Sequence, residues 1–425
     1  MLPIVLVVIV LVGFMAGAGL GSLLKEEKRN NVLNTVSQHQ TVSTATTPIM
    51  AEKLNLDLEY RLVPYLDVKV ERNGEIVQRR TQLDPPTRNF VRLISLLFYP
   101  DRVVIGSPAL YTVDVVDENG NTQPLGMAEP YTGYQHEEVF NSVPPQLPRF
   151  YVLLGNGVPQ EDPFTAYRLT NEVARFPVAP ETQMMFNGTH FIIELGGSWT
   201  ATLDATITEA GLLGIFEKFD RTDDNYVNAL LFYTPLEQPI FVVQNDTVIV
   251  TYRIVVGKFF TENMARVFRI IFSGDNAYSG ETVKDITGAD IPVGVENKHE
   301  RDIFCYGGAD VVRIVVGNGM PSQDIRVYSL SHQIASIPPQ FQYIEGTDTI
   351  QILLYGSFIP TENTTITEVG VIFPVERNDV YDDGDRKPYI YILAVYTPLD
   401  SPIPVTANVP TEIAVKITIN IGGSS

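Results

Sequence analysis

At 425 residues and 47.3 kDa, with 44% hydrophobic and 19% charged side chains, the chain has enough apolar material for two or three folded units and too little charge for a disordered one. Its formal net charge of -20 repels phosphate backbones, no Lys/Arg stripe with interleaved aromatics offsets that charge, and nucleic acid is excluded as an expected partner. The single cysteine, Cys305, rules out an intrachain disulfide framework and a Cys-rich zinc site.

The first predicted element is a transmembrane helix over residues 1–24. Every residue from Met1 to Leu24 is apolar or small except Ser22, and the run then meets Lys25-Glu26-Glu27-Lys28-Arg29. The opening Met1-Leu2-Pro3 lacks a basic n-region and the run is longer than a signal-peptide core, so a retained anchor is expected over cleavage near Ala16-Gly17-Ala18. Gly13, Gly17 and Gly21 fall at the GxxxG spacing that lets helix backbones approach closely. Lys25, Lys28 and Arg29 favour a cytoplasmic downstream end, whereas a long β-rich domain translocates regardless, so topology stays open. Residues 25–51 read as a polar stalk and linker, Thr/Ser-rich from Thr41 to Thr47.

Residues 52–87 read as a small β-element. Leu54, Leu56, Leu58 and Tyr60 alternate, and Val70 to Val77 reads as a hairpin about Asn73-Gly74. Its expected role is to pair with a module edge or with a neighbouring subunit, hiding an exposed strand edge.

The remainder is duplicated, with modules expected over residues 88–258 and 259–422. Val152 to Gln160 (VLLGNGVPQ) matches Ile314 to Ser322 (IVVGNGMPS), and Tyr167-Arg168-Leu169 is echoed by Tyr328-Ser329-Leu330. In the same order, Ile207-Thr208-Glu209-Ala210-Gly211 matches Ile366-Thr367-Glu368-Val369-Gly370, and Tyr233-Thr234-Pro235-Leu236 matches Tyr396-Thr397-Pro398-Leu399. Each copy ends in a strand-like run, Thr247 to Ile254 and Glu412 to Ile419, in which Val248, Val250, Tyr252 and Ile254 alternate with their neighbours. Short Val/Ile/Thr/Tyr/Phe runs are separated by Gly, Pro, Asn and Asp, as in Gly155-Asn156-Gly157 and Glu118-Asn119-Gly120-Asn121, read as turns with positive φ. Few stretches have the length and amphipathicity of a helix. The expected fold class is all-β: two tandem antiparallel β-sandwich modules, jelly-roll or immunoglobulin-like, after the transmembrane helix.

The block ITEVGV from Ile366 to Val371, then YTPLDSPIPV from Tyr396 to Val405, then TEIAVKITINI from Thr411 to Ile421, resembles β-sandwich domains of tailed-phage fibre proteins and of archaeal-virus virion surface proteins. The resemblance spans about the last sixty residues of each module and rests on a Thr-Glu-Val-Gly turn between strands. It implies an exposed structural or receptor-facing role in a symmetric oligomer, and it transfers no catalytic residue. The anchor departs from the phage pattern and fits a spike, turret or capsid component of a membrane-containing virus.

Motifs for chemistry are few. His39, His136, His190, His299 and His332 are scattered, without metal-ligand or HExxH spacing. Cys305 sits in Phe304-Cys305-Tyr306 and reads as a small buried side chain, while Gly196-Gly197-Ser198 reads as a turn between Leu195 and Trp199. Acidic clusters recur between the Thr-Glu and Tyr-Thr-Pro-Leu blocks: Asp220, Asp223 and Asp224 in the first copy, Asp379, Asp382, Asp383 and Asp385 in the second. They are calcium candidates by ligand type but follow no EF-hand pattern, and a solvated hairpin tip is the favoured reading. Asn187, Asn245 and Asn363 each open an Asn-x-Thr sequon and are glycosylation candidates on an exported chain.

The function expected is that of a virion structural or surface protein, not an enzyme and without a cofactor. Its expected partners are copies of itself or other virion proteins, the lipid membrane through residues 1–24, and a host receptor. The alternative is a cell-surface filament subunit or envelope adhesion protein joined by strand exchange, with an anchored hydrolase third.

Overall fold

Alternation of buried and solvent-facing residues, with turn residues between, sets strands along most of the described chain. The structure is a computed structural model describing residues 52–60, 64–98, 112–128, 137–138, 148–180, 182–217, 226–273, 281–293, 312–346, 349–377 and 389–420. The expected membrane helix (1–24) and stalk lie outside the described residues, and no described helix is long and apolar enough to cross a membrane.

The N-terminal part contributes β1 (Glu52–Tyr60), β2 (Tyr65–Arg72) and β3 (Glu75–Leu83). The first half continues with α1 (Arg88–Leu96), β4 (Thr112–Val116), β5 (Thr122–Ala128), β6 (Glu137–Glu138), β7 (Phe150–Gly155), β8 (Glu172–Pro177) and β9 (Gln183–Phe186). It closes with β10 (His190–Thr200), β11 (Ala205–Glu217), β12 (Tyr226–Val242) and β13 (Thr247–Gly257). The second half opens with α2 (Glu262–Ile271), β14 (Glu281–Lys284), β15 (Asp290–Val293), β16 (Arg313–Gly317) and β17 (Gln333–Ile337). It ends with β18 (Gln340–Glu345), β19 (Thr349–Phe358), β20 (Thr364–Glu376), β21 (Tyr389–Val405) and β22 (Thr411–Asn420).

The same sheet order occurs twice. The first half has β3-β2-β13-β10-β9 and β12-β11-β7-β8; the second has β1-β22-β19-β18 and β17-β16-β20-β21. Pairing is antiparallel except between β1 and β22, where Glu52 to Tyr60 run parallel to Thr411 to Ile419. The segment expected to be a separate β-element is thus divided between the halves: β1 edges a sheet of the second, and the β2–β3 hairpin edges a sheet of the first. Asn73 (φ 53°) and Gly74 (φ 83°) form the two-residue turn of that hairpin.

Several expectations are corrected. Gly196 and Gly197 form no turn; they lie inside β10, opposite Thr251 and Val250. A Cβ on Gly196 would lie 2.0 Å from the Val250 carbonyl oxygen, so glycine is there for close backbone approach. Thr367-Glu368-Val369-Gly370 is likewise no turn but the interior of β20. Gly155 and Gly157 are absent from the positive-φ residues, whereas Gly120 (φ 85°) has the expected turn conformation.

The two helices were not anticipated from the sequence. Thr87 and Thr261 cap them, each accepting from the amide three residues on, Phe90 and Met264. Each cap hydroxyl also donates to a strand carbonyl, Leu230 and Leu393. Two residues after each cap an asparagine clamps the next hairpin: Asn89 bonds both backbone groups of Val116 (2.8 Å each), and Asn263 both of Lys284 (2.7 and 2.9 Å).

Residues 52–425 form one compact unit whose halves meet through these helices. A run of rings leads from Phe232 through Phe90, Phe272, Phe268, Phe260 and Phe98 to Phe373, with successive centroids 4.8 to 6.3 Å apart. Charged groups cross the same seam. Arg88 and Arg92 of α1 pair with Glu345 of β18 at 2.7 and 3.2 Å, and Arg269 of α2 donates to the Thr182 carbonyl at 2.9 Å.

Because Phe272 packs against Phe90 and Phe150 of the first half and is 2% exposed, Phe272→Ala is expected to lower the unfolding free energy by about 3–5 kcal/mol. In denaturant, the fluorescence of Trp199, the single tryptophan, and far-UV dichroism should trace one coincident transition.

Candidate functional site

The repeated sequence blocks converge on one buried polar arrangement in each half. In β11, Thr208 and Glu209 follow the apolar Ile207 and face the end of β7. Glu209 is fully buried; its Oε2 accepts from the Tyr233 hydroxyl (2.7 Å), and its Oε1 from the amides of Thr170 (2.8 Å) and Asn171 (3.1 Å). The Tyr233 oxygen in turn accepts from the Gln160 amide at 2.7 Å. Thr208 donates to the Gly157 carbonyl at 2.7 Å.

The second half repeats this group by group. Glu368 Oε2 accepts from Tyr396 (3.1 Å), and Oε1 from the Ser331 amide (2.7 Å) and hydroxyl (2.8 Å). The Ser322 amide donates to the Tyr396 oxygen and Thr367 to the Gly319 carbonyl, each at 2.7 Å. This explains the glycines of the Gly-Asn-Gly blocks. A Cβ on Gly155 or Gly317 would meet Glu209 Oε1 at 2.5 Å or Glu368 Oε1 at 2.6 Å, so only glycine admits the carboxylate. Burial, aided by the adjacent carboxylates, raises both phenols, Tyr396 to about 12 and Tyr233 further, and keeps them as donors.

Chemically the arrangement is a hydrogen-bonded clamp on the loop above it. Each carboxylate spends its acceptors on internal donors beneath a loop, residues 155–160 or 317–322. At the tip of each loop stands an apolar side chain in solvent, Val158 at 83% exposure and Met320 at 88%. Thr170 Oγ1 holds the Val158 carbonyl from below at 2.8 Å. Alignment of the two copies brings these tips into register, but nothing in Gly-Val-Pro or Gly-Met-Pro marks the middle residue as solvent-facing.

Most of the candidates read from sequence lie where nothing tests them. Asp220, Asp223, Asp224, Asp379, Asp382, Asp383 and Asp385 lie outside the described residues, as do His39, His136, His299 and Cys305. Among the described residues no group of three His, Cys, Asp or Glu is placed to hold a metal ion. Asn187, Asn245 and Asn363 are all exposed and sit in three separate turns, β9–β10, β12–β13 and β19–β20. Two of their carboxamides serve the fold: Asn187 Oδ1 accepts from the His190 amide (2.9 Å) and Asn363 Oδ1 from the Ala407 amide (2.8 Å). His190 Nδ1 contacts the Thr189 hydroxyl at 2.7 Å, and His332 Nδ1 contacts Asn318 Oδ1.

One titratable group stands apart. Asp84, where β3 leads to α1, is fully buried; its Oδ1 accepts from Thr234, its Oδ2 has no partner, and the buried Tyr252 hydroxyl also has none. Burial pushes its pKa up to about 8 against the opposing Thr234 hydrogen bond. No protein family, curated protein or solved structure matches the chain.

Two outcomes are expected. Glu209→Ala strands the Tyr233 hydroxyl and two amides, and should lower the urea unfolding free energy by about 3 kcal/mol, Glu209→Gln by less. For Asp84 the folded state retains a proton that the unfolded chain gives up near pH 4, so its contribution weakens as pH rises from about 4 to about 8. Asp84→Asn should therefore match the parent below pH 4 and gain on it with rising pH, by on the order of a few kcal/mol at pH 9, in denaturation at each pH.

Proposed function

We propose that the protein is a virion structural or surface protein, a spike, turret or capsid component anchored through residues 1–24, assembling symmetrically and touching a host receptor or a neighbouring virion protein. The reading is non-catalytic and needs no cofactor. Its main support is the pair of equivalent loops that carry Val158 and Met320. Single exposed apolar residues are ordinary on a protein surface. These two occupy the same place in both halves, each on a loop fastened to a buried Glu–Tyr pair. A loop backbone already held in position loses little freedom when its tip is covered, which favours a contact residue there.

We read each half as a β-sandwich with two sheets packed over a shared core. Counted from β7, the sheets run 2-1-5-6 and 7-4-3, an order distinct from the A-B-E-D and C-F-G of an immunoglobulin constant domain. The alternative, a cell-surface filament subunit joined by strand exchange, draws on β1, which follows the polar linker and pairs in parallel with the last strand.

Immunogold electron microscopy of a producing culture, with antibody against residues 52–425, should label discrete particles. Label along filaments or spread evenly over cell envelopes would overturn the virion reading, and filaments would favour strand exchange. Val158→Asp with Met320→Asp should leave the unfolding midpoint near that of the parent and reduce incorporation into particles about tenfold.

A further inference from the structure

One end of the first half is apolar. Arg72 of the β2–β3 turn holds Asp246 by two bonds (2.8 and 2.9 Å), and the backbones of Asn245, Asp246 and Ala201 join the β12–β13 turn to the β10–β11 turn. Gln78 of β3 bonds both backbone groups of Phe241. Around these three turns stand Ile76, Val77, Leu203, Phe241 and Val243, each 39 to 61% exposed. Large apolar side chains gathered at one place in solvent mark a surface that something covers.

The second half has the equivalent turns without these residues. Phe241 pairs with Thr206 as Pro404 pairs with Thr365, which makes Val243 equivalent to Thr406 and Asn245 to Asn408. Asn245 (φ 73°) and Asn408 (φ 62°) share the left-handed conformation, and each donates its amide to the facing turn, at the Ala201 and Pro360 carbonyls (2.8 and 2.9 Å). Leu203, four residues before Ile207, has Glu362, four before Ile366, as its counterpart. The fold therefore does not require the end to be apolar. One further difference accompanies the apolar residues: Asn245-Asp246-Thr247 is a glycosylation sequon, and Asn408-Val409-Pro410 is not.

The three sequons differ in what their asparagines do. Asn363 Oδ1 accepts from the Ala407 amide (2.8 Å) as Asp204 in the first half accepts from the Gln244 amide (2.8 Å), so Asn363 has a turn residue's role. Asn187 Oδ1 accepts from the Thr189 and His190 amides (3.1 and 2.9 Å), and the Thr189 hydroxyl of that sequon is engaged with Asn187 and His190. The exposed Asn245 carboxamide bonds no described residue, while the buried Asp246 beside it accepts from the Val243 amide (2.9 Å) and keeps the turn in shape. We infer that Asn245 carries an N-linked glycan whose sugar rings lie over Phe241, Val243 and Leu203. The donor is a lipid-diphosphate-linked oligosaccharide: Asn245 Nδ2 forms a bond to the anomeric carbon, the bond from that carbon to the diphosphate oxygen breaks, and Nδ2 loses one proton. A pyranose turns a face of C–H groups to apolar side chains and its hydroxyls to water, so the end is covered and stays soluble. The inference rests on export of the chain to an outer surface, which the virion reading and its cell-surface alternative share.

Glycopeptide mass spectrometry of the full chain from a producing culture should find Asn245 occupied and Asn187 and Asn363 bare. Asn245→Gly, in which glycine accepts the positive φ, and Thr247→Val should each remove the glycan, and Thr247→Ser should keep it. In Asn245→Gly protein with parental Trp199 fluorescence, hydroxyl-radical oxidation of Phe241 should rise several-fold as the ring is uncovered. Asn245 bare, or no more occupied than Asn187 and Asn363, overturns the inference, and so does Phe241 oxidation equal in parent and Asn245→Gly. Labelling intact particles or cells with a membrane-impermeant amine reagent tests the surface reading separately. A labelled chain with bare Asn245 overturns this inference alone; an unlabelled chain overturns both.

Discussion

The folded part depends on the aromatic seam between its halves. Each half places a two-and-a-half-turn helix against its own long strands, and the two helices meet through Phe90 and Phe272. Without the seam, the inner faces of α1 and α2 would bring Val91, Ile94, Val267 and Ile271, all now buried, close to water. The groups around it are chosen for burial. Arg149, lowered by burial to about 10 and still charged at neutral pH, donates to the Ile270 carbonyl at the end of α2, where a helix favours a cation. Glu281 lies between Arg266 and Arg269, so a buried carboxylate is neutralised by the helix that seals the seam.

From that seam outward the halves are built alike, and the likeness is one of hydrogen bonds as much as of strands. Glu209 and Glu368 are charged-type side chains in a core, tolerable because every oxygen has donors. The result is a loop whose conformation is fixed from beneath while its tip faces solvent.

Where the halves diverge, the N-terminal segment makes the difference. Only residues 61–64 separate β1 from β2, yet the two strands serve different sheets in opposite senses: β1 parallel to β22, β2 antiparallel to β13. One short stretch therefore stitches the halves together a second time, and adds two strands, β2 and β3, to a sheet of one half and one strand, β1, to a sheet of the other.

By itself the sequence determined the all-β class, the duplication and the hairpin about Asn73-Gly74, since alternation, repeated blocks and turn residues are local properties. It also placed the Thr-Glu and Tyr-Thr-Pro blocks as equivalent pairs. Tertiary structure decided what those blocks do. That Glu209 lies under Gly155 and against Tyr233 depends on three strands meeting, and each residue alone reads as a surface acid or a turn glycine. Residues Gly196 and Gly197 misled for the same reason: a glycine needed for close approach looks in sequence like one needed for a turn, and only the neighbouring backbone, the Val250 carbonyl at Gly196 and the Pro177 carbonyl at Gly197, tells them apart. The helices escaped notice because nine or ten residues make fewer than three turns, and helices that short draw their stability from the seam they fill, not from their own propensity.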